Sequence, residues 1–163
     1  MGLMLPGELA DLLNDLGYTW PKSDEEKLFE IGQRWLGFST TVQGIRADLQ
    51  PHAERAWSDS SGDAVDAFRR QWEDTEAAPA VLDDGATGAA VIGATVFVCA
   101  AIVLALKINV IIQLTILLIE IIEAIATAAP TFGASLLEIP VFKKITDMAI
   151  NLIISQAMEA ILG

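Results

Sequence analysis

The chain has 163 residues, 53% apolar and 20% charged, with a formal net charge of -12. That length allows one domain or two small ones, and that composition supplies a core and excludes an intrinsically disordered chain. The acidity excludes nucleic acid as a partner, because phosphate binding needs a basic face. The charge is also uneven: residues 1–84 carry 17 Asp/Glu and 7 Lys/Arg, and residues 85–163 carry 5 and 3. The expected organisation is therefore an acidic segment, 1–84, followed by an apolar one, 85–163.

In chain order, the first element is a short amphipathic helix over residues 5–16. Leu5, Leu9, Leu12, Leu13 and Leu16 share one helix face, Pro6 suits its first turn, and Gly17 suits the position just past its end. The link Tyr18-Thr19-Trp20-Pro21 is extended, because the residue before proline is pushed out of the helical region. Its aromatics are expected to pack the small helix onto the rest. Ser23-Asp24-Glu25-Glu26 then reads as a capping box with Ser23 as the cap, opening a long helix.

That helix carries Leu28, Ile31, Trp35, Phe38, Val42, Ile45 and Leu49 in alternating steps of three and four, a heptad seam. Gly32, Gly37 and Gly44 weaken it and can mark the approach of another helix, and Pro51 is expected to bend or rearrange it late. Trp57 to Gly62 reads as a tight turn, with Ser61 or Asp63 capping the next helix. Val65, Phe68 and Trp72 repeat the step. The spacing predicts a helical hairpin over 24–78, closed along the seam, with an interruption around Ala77-Ala78-Pro79 and Asp83-Asp84-Gly85.

The stretch Gly85–Ala129 has no charge from Gly88 to Leu106, enough for a membrane-spanning helix. It continues through Lys107, Asn109 and Gln113, where a break or bend is expected. Acids flank it at Asp83, Asp84, Glu120 and Glu123, contrary to a simple positive-inside pattern, so buried helix–helix packing, between chains, ranks above a single-pass anchor. Ala128 to Gly133 stops it, Ala134–Glu138 forms a short turn, and a last helix runs over 141–162.

Candidate chemistry is sparse. His52 has no cysteine or second histidine beside it, and GAAVIGATVF lacks the lysine of a phosphate cradle. Glu120 and Glu123 share a face but nothing completes a di-metal site. A lysine as deep in an apolar run as Lys107 must snorkel, pair or line a cavity; Glu120, Glu123 and Asp147 are its expected partners. Lys107, Glu120 and Glu123 are the candidates for a buried charge cluster or a lumen lining. No catalytic residue, cofactor or metal is expected. MGLMLPGELADLL lacks the basic and apolar regions of a cleaved signal peptide; export, if any, is expected to use another route.

SSGDAVDAFRRQW around Gly62 resembles the turn of the Trp-X-Gly, ESAT-like hairpin proteins of type VII secretion, through Gly62, Ala64, Ala67, Phe68 and Trp72. It departs from them at Ser60, where the family has Trp; Trp57 is the nearest tryptophan. The family's tyrosine-based export signal is also absent after the second helix. LPGELADLLNDLGYTWP, DEEKLFEIGQRW, GDAVDAF, VCAAIVLALKINVIIQLT and TFGASLLEIPVFKK together resemble the N-terminal domain of actinobacterial polymorphic toxins, the group that includes the mycobacterial toxin with an outer-membrane channel domain.

The expected fold is all-α: a Trp-X-Gly-like hairpin plus an apolar long-helix layer, oligomeric. The resemblance implies a non-catalytic delivery domain of a type VII-secreted toxin. Its partner would be another copy of itself or a small helical secretion partner, with membrane contact possible. It would be cytoplasmic before export, then secreted or associated with the cell envelope. The alternative is a self-assembling protein forming a shell, ring or membrane pore.

Overall fold

The computed structural model describes residues 2–163. Among these the fold is all-α, 81% helical and without strands. The elements are α1 (Gly7–Asp15), α2 (Glu25–Ser58), α3 (Asp63–Trp72), α4 (Ala78–Ala126), a 3-10 turn (Ala134–Glu138) and α5 (Ile139–Leu162).

Local chemistry explains most boundaries. Gly17, with φ of 86°, closes α1. Its N–H donates to Asn14 O and the Tyr18 N–H to Leu13 O, so the last carbonyls of α1 are satisfied. At the start of α2 the cap is Asp24 and not Ser23: the Lys27 N–H donates to Asp24 Oδ1 at 3.2 Å. Neither Ser61 nor Asp63 caps α3; Gly62, with φ of 126°, occupies the cap position and its carbonyl accepts from Val65 and Asp66. A backbone in that region strains any residue with a Cβ.

Helix is continuous at three positions where a bend, break or interruption is expected. α2 continues through Pro51 to Ser58, its last turns held by buried Ala53 and by Trp57 stacked 5.9 Å from Phe68. α4 continues through Lys107-Ile108-Asn109 and, at its start, through Asp83-Asp84-Gly85. Asn109 donates to Ala105 O one turn back, and the Lys107 charge is paired, so neither residue requires the backbone to open. Pro79 sits in the first turn of α4, where its missing N–H costs nothing.

The chain forms two compact units, Leu28–Val98 and Met1–Lys27 with Cys99–Gly163. The compositional step at residues 84–85 falls inside α4.

In the 28–98 unit, α2 runs antiparallel to the first half of α4. Phe29 meets Phe97 at 5.6 Å, Ser39 Oγ donates to Ala86 O at 2.7 Å, and Arg46 pairs with Asp83 at 3.3 Å. The closest approach is at two glycines: a Cβ on Gly32 would lie 3.1 Å from Gly93 O, and one on Gly93 would lie 3.0 Å from Gly32 O. The hairpin is thus α2 with α4. The expected α2–α3 pairing is restricted to the end of α2, because α3 has ten residues against thirty-four. There Trp72 Nε1 donates to Gln50 Oε1 at 3.2 Å, and α3 forms part of the link between the long helices.

In the other unit, α4 from Cys99 onward pairs with α5 across a turn at residues 127–138. α1 lies on them, burying Leu9 and Leu13 against Val110, Leu114 and Ile150. Tyr18 donates its hydroxyl to Asp147 Oδ1 at 2.9 Å, and Trp20 Nε1 to Leu3 O at 3.2 Å. These two aromatics dock the N-terminal segment.

Candidate functional site

The seam of large residues on α2 does not face α4. Buried positions on α2 within this unit are Gly32, Ser39, Val42 and Ala53, small or β-branched residues that let the backbones approach. Of the expected seam, Val42 is buried and Leu28 half-buried, whereas Ile31, Trp35, Phe38, Ile45 and Leu49 are 37–54% exposed. Most of the large seam residues and the closest backbone approach therefore fall on different faces, with Phe29 and Leu36 the large α2 residues that reach α4. Trp35 stands edge-on to Phe38 at 6.2 Å. With Ile31 and Arg34 they line an open, apolar depression of about 340 Å³. Phe68 and Trp72 are at the end of α2 with Trp57, not on this row.

The turn residues meet as a cluster. Trp57 lies against Phe68, with the Arg69 guanidinium 5.8 Å from the centre of its ring, and Phe68 lies 5.9 Å from Trp72. Gly62 supplies the reversal. Trp57 thus fills the turn from the helix side while Ser60, at the family's Trp position, is exposed.

Lys107 is 2% exposed. Its partner is Glu25, and not Glu120, Glu123 or Asp147: Lys107 Nζ donates to Glu25 Oε2 at 2.6 Å and to Ser23 O at 2.6 Å. The Trp20 ring centre is 5.8 Å away, within cation–π range. Glu25 Oε1 accepts the Leu3 N–H. Burial alone would raise the Glu25 carboxyl. The Lys107 hydrogen bond, the backbone N–H groups of Leu3 and Glu25, and the Lys107 charge outweigh it and hold the carboxyl at about 2. Glu120 is half-buried and Glu123 exposed, so the three charges expected together are apart. Glu25 was missed because its partner is 82 residues away; the available signal was a carboxylate in the first turn of a helix.

Other apolar surface lies on the second half of α4 and on α5. Both helices are long and apolar enough to cross a membrane, with mean hydropathies of 2.7 and 1.3 in their best windows. Among the described residues no three His, Cys, Asp or Glu side chains gather as a metal site.

The described helices thus include a long antiparallel hairpin whose closest approach is at small residues. The chain belongs to the WXG100-like domain family, whose model matches residues 5–148, from the start of α1 well into α5. No curated protein matches the chain, and no solved structure does. WXG100-like domains are non-enzymatic, secretion-related helical proteins, and family members associate with themselves or with helical partners.

Proposed function

We propose that the chain is the delivery domain of a type VII-secreted toxin and acts by helix–helix association through the outer face of α2. The observation that carries this reading is the heptad-spaced row Ile31, Trp35, Phe38, Ile45 and Leu49, which has no partner helix on it. Such a row receives an amphipathic helix along i, i+3, i+4 and i+7 anchors, and rigid aromatics such as Trp35 and Phe38 are the residue types that dominate interface energetics. The acidic 1–84 segment would carry recognition, and the apolar 85–163 segment would accompany it through export from the cytoplasm to the envelope or beyond.

The test is light scattering and native mass spectrometry of the wild type and of Trp35→Asp/Phe38→Asp. The reading expects a defined oligomer, or a stable complex with a helical secretion partner, that the double variant loses with its circular dichroism unchanged. A wild type that stays monomeric with every secretion partner offered would remove it.

A membrane pore is the second reading. It is favoured by α4 and α5, each long and apolar enough to span a bilayer and mostly uncovered, with 17% and 11% of their best windows buried. Glu120 and Glu123 are its lumen candidates; Lys107, buried against Glu25, would line a lumen only after that pair opens. Dye release from vesicles tests it.

A further inference from the structure

The turn between α4 and α5 combines exposed apolar side chains with an internally paired backbone. Its apolar side chains point out: Phe132 is 100% exposed, Leu137 77% and Leu136 41%. Its polar groups are paired within the turn, with the Ser135 hydroxyl buried. Every backbone N–H from Thr131 to Leu136 finds an acceptor within the turn. The hydroxyls of Thr127, Thr131 and Ser135 donate to Glu123 O, Thr127 O and Ala124 O. No charged residue occurs in the fourteen positions from Ala124 to Leu137.

Phe132 itself has φ of 54°, the left-handed region that a bulky residue seldom occupies. Such conformations persist where the surroundings impose them, and they cluster at functional positions. Here Gly133, with φ of 83°, completes the reversal and its N–H donates to Ala128 O at 2.7 Å.

Water does not require a loop to satisfy its own amides; the hydrocarbon edge of a bilayer does, because an unpaired polar group there costs several kcal/mol. A protein-docking loop would instead be expected to offer some donors or acceptors to its partner, since interfaces carry roughly one hydrogen bond per 100–200 Å². We propose that residues 124–137 form a lipid-contacting tip that enters the interfacial layer of a bilayer with Phe132 and Leu137 leading. The tip has no charge and the chain is net acidic at -12, so the surface it fits is a zwitterionic one, and binding is apolar and not electrostatic. Continuity supports the same occupant, since the tip joins the two helices with membrane-scale hydropathy. Shallow contact by a tip requires neither the toxin reading nor the pore.

The experiment places an environment-sensitive fluorophore at the exposed Ala134, as Ala134→Cys in a Cys99→Ala background, with a control label at exposed Ser60→Cys. Phosphatidylcholine vesicles, with and without phosphatidylglycerol, are the probe. The expected result is a blue shift and quenching by doxyl-labelled phosphatidylcholine at 134 but not at 60. Binding should be at least as strong without anionic lipid and insensitive to salt. Phe132→Asp/Leu137→Asp, at fully or mostly exposed positions, should keep the circular dichroism and lower vesicle partitioning roughly tenfold or more.

A label at 134 that stays in water with every vesicle overturns the proposal. So does an unchanged partition of the double variant, or a label that becomes dry with rising protein concentration before any lipid is added. Vesicle binding without dye release supports the tip and removes the pore.

Discussion

Lys107 and Glu25 are 82 residues apart in sequence and 2.6 Å apart in space. Removing one member of a buried ion pair leaves the other charged and dry, which costs about 3–5 kcal/mol. Denaturant unfolding should show that loss for Lys107→Met at neutral pH. Replacing both, as Lys107→Met/Glu25→Leu, should recover only about half, because the Leu3 N–H and Ser23 carbonyl lose their partners. The pH dependence has a definite sign. With the Glu25 carboxyl at about 2 against an ordinary 4.5, the pair stabilises fully above about pH 4.5 and loses its effect as pH falls through about 2. In Lys107→Met the carboxyl keeps the Leu3 and Glu25 N–H groups but loses the cation, so it lies higher than in the wild type and stability should fall less on acidification. Stability measured at several pH values separates the two slopes. The need of Lys107 for a partner was readable from its apolar surroundings, but the identity of the partner was not. All three candidates lay within the same half of the chain, and only the fold brings the start of α2 to the middle of α4.

At the scale of elements, α2 has two faces with different tasks, and its glycines report which is which. Gly32 and Gly93 face each other's backbones, whereas Gly37 and Gly44 face open space. Gly93→Val should force the helices apart and cost about 1–3 kcal/mol, as overpacking does. Gly37→Ala and Gly44→Ala should each raise stability by about 0.5–1 kcal/mol through helix propensity. Thermal melts of the three variants give the contrast; equal effects would mean that the glycines do not mark the contact. Helices α1, α2 and α5 were legible from apolar spacing, and the α1 end from Gly17. The pairing was not, for a physical reason. Heptad reading follows the largest side chains, and the closest backbone approach in this hairpin is at small residues, Gly32 against Gly93 with Ser39 bonded to Ala86. A pattern of hydrophobicity does not register glycine and serine as a contact face. The lengths of α3 and α4 were misjudged for a similar reason: polar residues in α4 looked like a break, but their side chains are satisfied within the fold.

For the whole molecule, the apolar residues left outward are more numerous than a small soluble domain usually leaves uncovered, and they sit on α2, α4 and α5. If the outer face of α2 binds another copy, association stabilises the folded state by mass action. The melting temperature should then rise with protein concentration for the wild type and stay flat for Trp35→Asp/Phe38→Asp. Calorimetry over a hundredfold concentration range would measure it, and a flat wild-type curve would count against self-association. Composition indicated an acidic segment and an apolar one. It did not indicate that residues 2–27 pack with residues 99–163, because that grouping depends on long-range contacts with no local signature.

Those long-range contacts also set an order in time. The hydroxyl of Tyr18 bonds Asp147, 129 residues later, and Leu9 and Leu13 are covered only when Val110, Leu114 and Ile150 are in place. At about 5–20 residues per second of synthesis, the α1 segment waits roughly 6–26 seconds for its far partner. Contacts of such sequence separation close late in any case. During that interval the leucine face of α1 is open to whatever meets nascent chains, a chaperone or an export factor. α1 is made well before the residues that cover it.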